Sequence, residues 1–442
     1  MAASVVVDAK SSVLSADETR PTCRSCQQDG FSCEYTTVQF VQSKLTQVAK
    51  REPLSTIPSQ VLMPRAVHDG LVASAYHVIH VEFMRDRLVS SESPAPFHTW
   101  PGFLADCDEF PLGRKCLSTL AQAFVGQTRG LPELSMSGTR SYLESVRSLQ
   151  HALSLLSARS SNDTLLAVMI LELYEMLMLS SHDGWIRHAL GLAKIIEIRG
   201  PHSFCDPFSL KLFETNRFIV CLACLASSSP TFLSQAAWKR IPWQANPSSK
   251  DSMQCLLDSF ADLTTLKSRI SHDRPGATTR DEIQLIIDLL PQWREEWDAQ
   301  NCGHACEVPN EDPDDRNIIP SVLTFSTTLV ANCACIYNAT MILAVSLTWL
   351  HTGDDGDFKH KSLAYTAAMD ICKIVKNYIP QAAGQMSTQF TLLYPLRMAW
   401  TVFHRESHSQ QQHWVERMLK QIILTGNTWS VASQTLLPFP RQ

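Results

Sequence analysis

Three cysteines near the N-terminus are spaced like ligands of a metal ion. The stretch DETRPTCRSCQQDGFSCEY at residues 17–35 places Cys23 and Cys26 in a CxxC pair and Cys33 after six further residues. A CxxC turn lets two thiolates reach one zinc ion, and a short loop returns a third. A structural zinc ion normally takes four ligands, so the set is one thiolate short. The residues predict part of a zinc site, with a chance cluster in a disordered segment as the alternative.

The residues around these cysteines resemble the second half of the fungal binuclear zinc cluster, the DNA-binding module of a family of transcription factors. In that family six cysteines hold two zinc ions, and a proline stands two residues before the fourth cysteine, as Pro21 does before Cys23. The resemblance implies that Cys23 bridges both metals and that Cys26 and Cys33 are terminal ligands of one. It begins abruptly at Asp17.

The first half of such a cluster has no counterpart in residues 1–16. Ala16 stands where the family has its third cysteine, and the segment contains no cysteine and a single lysine. Residues 1–60 carry six Lys or Arg against six Asp or Glu, and the whole chain has a net charge of -5. Neutralising DNA phosphates takes a surplus of cations. We therefore expect this segment not to fold around two zinc ions and to bind DNA weakly or not at all.

The abrupt start of the resemblance between Ala16 and Asp17 has two explanations. A misplaced exon boundary or an alternative start would produce it, and this reading is favoured because a protein that had lost half its cluster would diverge throughout the motif. It makes promoter DNA a partner of the true gene product. Real loss of the half cluster is the other reading, and it gives a helical adaptor or co-regulator that does not bind DNA itself.

Apolar residues from about residue 61 onward recur at the spacing of helices. Segments such as GWIRHALGLAKIIEIRG repeat them every three or four positions, and no stretch alternates with period two. We predict an all-α fold without a sheet. A non-family, disordered N-terminus (1–16) precedes a partial zinc-cluster motif (17–36), a linker (37–60) and a large multi-helix regulatory domain (61–442). The part before the helices is expected to be flexible.

Four stretches of the helical region are also similar to the same family, and their order is the specific part of the likeness. They resemble its Tyr-Glu helix, its Trp-x-x-His helix ending in Arg-Gly-Pro, its Trp…Pro-Trp segment and its Tyr-Pro-Leu-Arg helix, here at residues 171–177, 185–204, 212–243 and 392–400. Many such regulators are tied to secondary-metabolite gene clusters. The resemblance implies a nuclear transcriptional regulator of a secondary-metabolite or other metabolic gene cluster, with co-regulator proteins as partners and a homodimer left open.

Several polar residues of these helices could be mistaken for a site. A single His one turn from a Trp on an amphipathic helix is more often a packed, hydrogen-bonded core residue. We therefore interpret Trp185, His188 and Arg199 as packing residues, and Tyr174 and Glu175 as part of the same packing.

Residues 321–350 contain no charged side chain and are long enough to span a membrane. Asn332, Asn338 and many Ser and Thr interrupt the segment, and no Lys or Arg lies within four residues of either end. We predict a buried central helix and no membrane partner.

Signals for enzymes are weak. The HxE of His80 and Glu82 is typical of zinc deaminases, but their CxxC follows it, whereas here the CxxC comes first. Asp354, Asp355 and Asp357 lie in a Gly-rich loop and not at helical spacing, which indicates a solvated turn rather than a magnesium site. No GxSxG, phosphate loop or dinucleotide glycine motif occurs. We predict that the protein is not an enzyme.

The remaining cysteines are predicted to be reduced, free thiols. Cys221 and Cys224 form a second CxxC in the apolar run RFIVCLACLA, where core packing is the expected role. Cys302 and Cys306 flank His304, but no fourth ligand lies nearby.

Overall fold

The computed structural model describes residues 77–87, 103, 107–155, 157–178, 184–272, 277–303, 305–352, 358–381 and 386–425. The chain divides into two units, Met1–Met63 and Pro64–Gln442, and every described residue belongs to the second. Helices dominate the described ranges, which confirms the all-α prediction. Cys23, Cys26, Cys33, His304 and the aspartates at 354–357 lie outside the described residues, and the predicted boundaries before residue 61 stay predictions.

A helical stretch at residues 77–87 precedes a series of further helices. In chain order these are α1 (Pro111–Thr128), α2 (Pro132–Ser154), α3 (Asn162–Met178), α4 (Gly184–Arg199), α5 (Pro207–Ala226), α6 (Ala236–Arg240), α7 (Ser252–His272), α8 (Ala277–Gln300), α9 (Thr328–Thr352), α10 (Phe358–Gln381), α11 (Met386–Arg405) and α12 (Ser409–Thr425). Two strands, β1 (Ala305–Pro309) and β2 (Ser321–Phe325), lie between α8 and α9.

Two helices form the centre of the packing because they are apolar on every side. Each residue of α3 from Thr164 to Leu177 is buried, and α1, α2, α4 and α5 pack around it. Helix α9 is surrounded in the same way by α7, α8, α10 and α11. A helix without a polar face has to be enclosed by others. One continuous apolar core therefore runs through the helical region.

The prediction of one buried helix over residues 321–350 holds for the longer part of that segment. Residues Thr328–His351 pass a length and composition test for a membrane span, but 83% of the most apolar window is buried inside the protein. This confirms the central core helix. The helix begins at Thr328, however, because the five residues Ser321–Phe325 form a strand.

The prediction that no sheet occurs is wrong for this one hairpin. β1 and β2 pair antiparallel, with Ala305 opposite Phe325 and Pro309 opposite Ser321. All five residues of β1 are exposed, and all five of β2 are partly buried. Neither strand has one buried and one solvated face, so the alternation that identifies a strand in a sequence is missing.

The loop of the hairpin is fixed to the helices by its polar side chains. Asn310 donates from its backbone N–H to the Pro320 carbonyl at 3.0 Å and closes the loop. Asp315 accepts from Lys376 Nζ on α10 at 2.6 Å and from Arg417 on α12. The acidic stretch NEDPDDRN at residues 310–317 therefore connects the hairpin to two helices through ion pairs.

Helix starts are stabilised by side chains that replace missing backbone acceptors. The Asp206 carboxylate accepts from the Ser209 backbone N–H at 3.0 Å and caps α5. Asp163, in the first turn of α3, accepts from the backbone N–H of Leu112 at 3.1 Å and of Gly113 at 2.7 Å. These donors belong to the first turn of α1 and have no partner within their own helix. Asp163 therefore ties the start of α1 to the start of the buried helix.

A buried cation joins α5 to α7. The Arg217 side chain is 1% exposed and donates to the Gln254 carbonyl at 2.8 Å, to Gln254 Oε1 at 2.9 Å and to Asp258 Oδ1 at 2.5 Å. Lys250 binds the other oxygen of Asp258. Removing a charged group from water is tolerated only when hydrogen bonds and an opposite charge replace the solvent. The network is thus a structural one.

The crossing of α1 and α2 requires a glycine. A Cβ added to Gly138 would lie 2.7 Å from both Cα and Cβ of Ala123. Gly191 in α4 is a matched control, because a Cβ there would meet nothing within 4 Å. Both changes to Ala gain the same helix propensity, and only Gly138→Ala creates a clash. We expect Gly138→Ala to be about 1–3 kcal/mol less stable than Gly191→Ala in urea unfolding. Equal stability of the two variants would contradict this close approach.

Helix α3 also buries a carboxyl group. Glu172 is 2% exposed, and its Oε1 atom has no hydrogen-bond partner among the described residues. Burial raises the pKa of Glu172 from its usual 4.5 to about 8, because removal from water disfavours the charged form. The side chain is therefore protonated in the folded protein at neutral pH.

Stability should depend on pH through Glu172. The folded-state pKa lies above the unfolded one, so this contribution is complete below pH 4.5 and is lost as the pH rises to about 8. Glu172→Gln keeps the shape and does not titrate. The free energy of unfolding of the wild type, relative to Glu172→Gln, should fall by about 1.4 kcal/mol per pH unit across that window. Urea unfolding of both proteins from pH 5 to 8 measures this difference, and parallel curves would contradict it.

Candidate functional site

Potential metal ligands do not cluster in the described part of the chain. Among the described residues, no group of three or more His, Cys, Asp or Glu is placed to hold an ion. The predicted ligands Cys23, Cys26 and Cys33 lie outside these residues, so their role stays a prediction. Cys302 and Cys306 are exposed free thiols.

The CxxC of α5 is part of the core, as predicted. Cys221 and Cys224 are buried and free. Burial raises the pKa of Cys221, and it raises the pKa of Cys224 to about 11. Both therefore stay protonated at neutral pH, and a protonated thiol is a poor metal ligand and nucleophile.

A pocket with a volume of about 510 Å³ opens between α2, α3 and α4. This volume lies within the range of small-molecule sites. The apolar side chains that line it are Val146, Leu149, Leu153, Val168, Ile195 and Ile198. The polar and charged ones are Gln150, Arg159, Ser160, Arg187, His188 and Lys194. No acidic side chain is among the described residues that line the pocket, so its apolar wall is accompanied only by neutral polar and positively charged side chains.

Helical spacing explains how α4 supplies its part of the wall. Arg187, Gly191, Lys194 and Ile198 follow one another at intervals of four, three and four residues, which places them on one face. The opposite face buries Trp185 and other apolar residues against the core. Gly191 has no side chain at the centre of the exposed face, and the space beside it is open. The pocket exists in part because of this missing side chain.

A buried polar cluster lies next to the pocket. Tyr142 on α2 donates its hydroxyl to Glu175 Oε1 on α3 and lies 3.3 Å from His188 Nε2 on α4. His188 Nε2 is 4.0 Å from Glu175 Oε1. The rings of Tyr142 and Tyr174 stack with their centroids 4.2 Å apart. The three helices that line the pocket are thus joined by hydrogen bonds and ring contacts at one point.

His188 connects this cluster to solvent. Its side chain is 21% exposed and contributes to the pocket wall. Burial lowers the pKa of His188, Glu175 partly opposes this, and Arg187 lowers it further. The neutral imidazole is favoured, so the positive charge of the pocket comes from the two arginines and the lysine.

The interpretation of the polar helix residues as packing residues is confirmed in most cases. Trp185, Tyr174 and Glu175 are buried. The Arg199 guanidinium lies 4.7 Å from the centre of the Phe204 ring and donates to Asn162 Oδ1 at 2.9 Å.

His188 is the exception, because it both packs against Tyr142 and faces the pocket. Sequence reasoning missed Arg159, Arg187 and Lys194. The available signal was the seven-residue interval between Arg187 and Lys194, which places both side chains on one helix face with Gly191 between them.

Comparison with known proteins places the helical region in a family. Residues 89–354, more than half of the chain, match the model of the fungal specific transcription factor domain. The chain is also 25% identical over 128 residues to the uncharacterized protein AN5342 of Emericella nidulans. That similarity covers 29% of this chain and only 27% of the relative's own length. No solved structure matches the chain.

The matched range contains α1 to α9 and the hairpin, so it includes the pocket and the buried polar cluster. The domain is that of a regulator of transcription, which confirms the prediction that the protein is not an enzyme. The chain belongs to the family of proteins with a fungal specific transcription factor domain.

Proposed function

We propose that this transcriptional regulator acts in the nucleus and controls a secondary-metabolite or other metabolic gene cluster. The observation that carries the proposal is the match of residues 89–354 to a transcription factor domain. It is supported by the resemblance of residues 17–36 to half of a zinc cluster, which lies upstream of the matched range, where a DNA-binding module of that family stands. The helical domain would then hold co-regulator proteins.

Deletion of the gene tests this function. Transcripts of genes that lie together and encode one metabolic pathway should change together by several fold, with the same sign, relative to the wild type. Restoring the gene should reverse the change, and a copy with Lys420→Gln, at an exposed position of α12 that does not line the pocket, should restore it equally well. Unchanged transcripts of every such gene group would contradict the proposal, and so would a tagged protein excluded from the nucleus.

The zinc-binding part of the proposal concerns three residues. Cys23, Cys26 and Cys33 supply three of the six thiolates that two zinc ions need in the family's cluster, so the ligand set for zinc is incomplete in this sequence. Residues 1–60 also have no net positive charge to neutralise phosphates. These two observations favour a second candidate function, that of a helical adaptor or co-regulator which does not bind DNA itself.

Metal content and DNA binding of the purified chain distinguish the two functions. We expect fewer than two zinc ions per chain and no sequence-specific electrophoretic shift on the promoters of the regulated genes. Cys23→Ser should remove any zinc that is bound, whereas Cys302→Ser, at an exposed thiol outside the motif, should leave the zinc content unchanged. Two zinc ions per chain together with a specific shift would contradict the incomplete cluster.

Sequencing the 5′ end of the transcript decides what the true gene product contains. An upstream CxxC with a basic run, joined in frame at Asp17, would restore a complete cluster and make promoter DNA a direct partner. A transcript in which the codons of residues 1–16 directly precede Asp17, with no CxxC before them, would support the adaptor.

A further inference from the structure

We propose that the pocket between α2, α3 and α4 binds a small amphipathic carboxylate, with its charged group on the basic side chains and its apolar body against the aliphatic wall. This deepens the proposed function by naming a class of ligand for the helical domain. Binding by the purified protein can be measured whether or not the chain regulates genes, so the two proposals can fail separately.

The charge of the pocket selects an anion. Arg159, Arg187 and Lys194 line it, and none of its described lining residues is acidic. Lys194 pairs with Glu197 at 2.8 Å, but both side chains are well exposed, and such surface pairs contribute little. A guanidinium presents several donors in a fixed plane, which matches the two oxygens of a carboxylate. A ligand carboxylate would therefore gain charge-assisted hydrogen bonds from side chains already at the pocket.

The wall of the pocket selects an apolar body. Val168 and Leu149 are buried at its inner side, while Leu153 and Ile198 remain exposed at its edge, Ile198 to 53%. An aliphatic or aromatic group in the pocket would remove this apolar surface from water, at about 25 cal/mol per Å². A purely ionic ligand such as free phosphate would leave it uncovered. The aliphatic wall and the cations together favour a molecule that has both properties.

The size and rigidity of the pocket favour a small molecule over a protein segment. About 510 Å³ is typical of a site for one small ligand. The three helices that form it are fixed to one another by Tyr142, Glu175 and His188, so the walls are largely formed before a ligand binds. A preformed pocket spares the ligand the entropy of ordering its site. His188 is a positioning residue in this arrangement, because the Tyr142 hydroxyl lies 3.3 Å from its Nε2 atom and fixes the ring.

Calorimetric titration of the full chain with three probes tests the class of ligand. Decanoate has the charged head and the apolar chain, 1-decanol has the chain alone, and acetate has the head alone. We expect saturable, one-site binding of decanoate, and binding at least about tenfold weaker for each of the other two. Decanol that binds as tightly as decanoate would contradict the preference of the pocket for a negatively charged head group. Absence of saturable decanoate binding would overturn the proposal as a whole.

Filling the pocket tests its location. A side chain at position 191 enters open space, so Gly191→Phe should block the pocket and abolish decanoate binding. Leu285→Phe places the same aromatic ring at an exposed position of α8 that does not line the pocket, and should bind within about twofold of the wild type. The melting temperature of each variant reports whether it is folded. A folded Gly191→Phe protein that binds decanoate like the wild type would place the site elsewhere.

Matched charge changes test the basic side chains without filling the pocket. Lys194→Gln should weaken decanoate binding by about tenfold, because one charge-assisted hydrogen bond is lost. Lys420→Gln removes the same charge from an exposed position on α12 that does not line the pocket, and should change the affinity by less than about twofold. Equal effects of the two changes would show that only the net charge of the protein matters and would overturn the assignment of Lys194.

Discussion

The enclosure of α3 is the constraint on which the surrounding helices depend. A helix that is buried on all sides has no solvated face, so its neighbours α1, α2, α4 and α5 must cover it completely. Each neighbour is oriented by the apolar stripe that it turns toward α3. Asp163 fixes the start of α1 against the first turn of the same helix. Two carboxyl groups lie inside this enclosure. Glu175 accepts a hydrogen bond from the Tyr142 hydroxyl, and burial raises the pKa of Glu172 so that this side chain keeps its proton.

The pocket lies at the edge of that enclosure, between α2 and α4. Each helix buries part of its apolar side chains against the core, and the faces toward the pocket carry Leu153 on α2 and Arg187, Lys194 and Ile198 on α4. Gly191 leaves the centre of the α4 face empty. His188 lies on the boundary, with one side against Tyr142 in the core and the other toward the pocket. A single helical turn therefore serves both the packing of α3 and the lining of the pocket.

The helical fold could be read from the sequence because most helices show an amphipathic period locally, and α3 and α9 are apolar runs too long to be strands. The hairpin could not, since β1 is exposed along its whole length and no alternation marks it as a strand. Its pairing partner lies beyond an eleven-residue loop that is fixed by Asp315 to α10 and α12, a contact that only the folded chain displays. The pocket was missed for a related reason. Arg187 and Lys194 resemble an ordinary solvated helix face until Val146 and Leu149 of another helix are placed opposite them.

The two parts of the molecule support different inferences about function. Family membership rests on residues 89–354 and holds whichever explanation of the half cluster is right. The zinc motif bears only on how a regulator would reach its promoters, directly through a complete cluster or through another protein. A ligand pocket within the matched range is compatible with both routes, because it would act on the helical domain that they share. The basic side chains of the pocket would then bind a metabolite, since Arg159, Arg187 and Lys194 surround a partly apolar cavity of about 510 Å³.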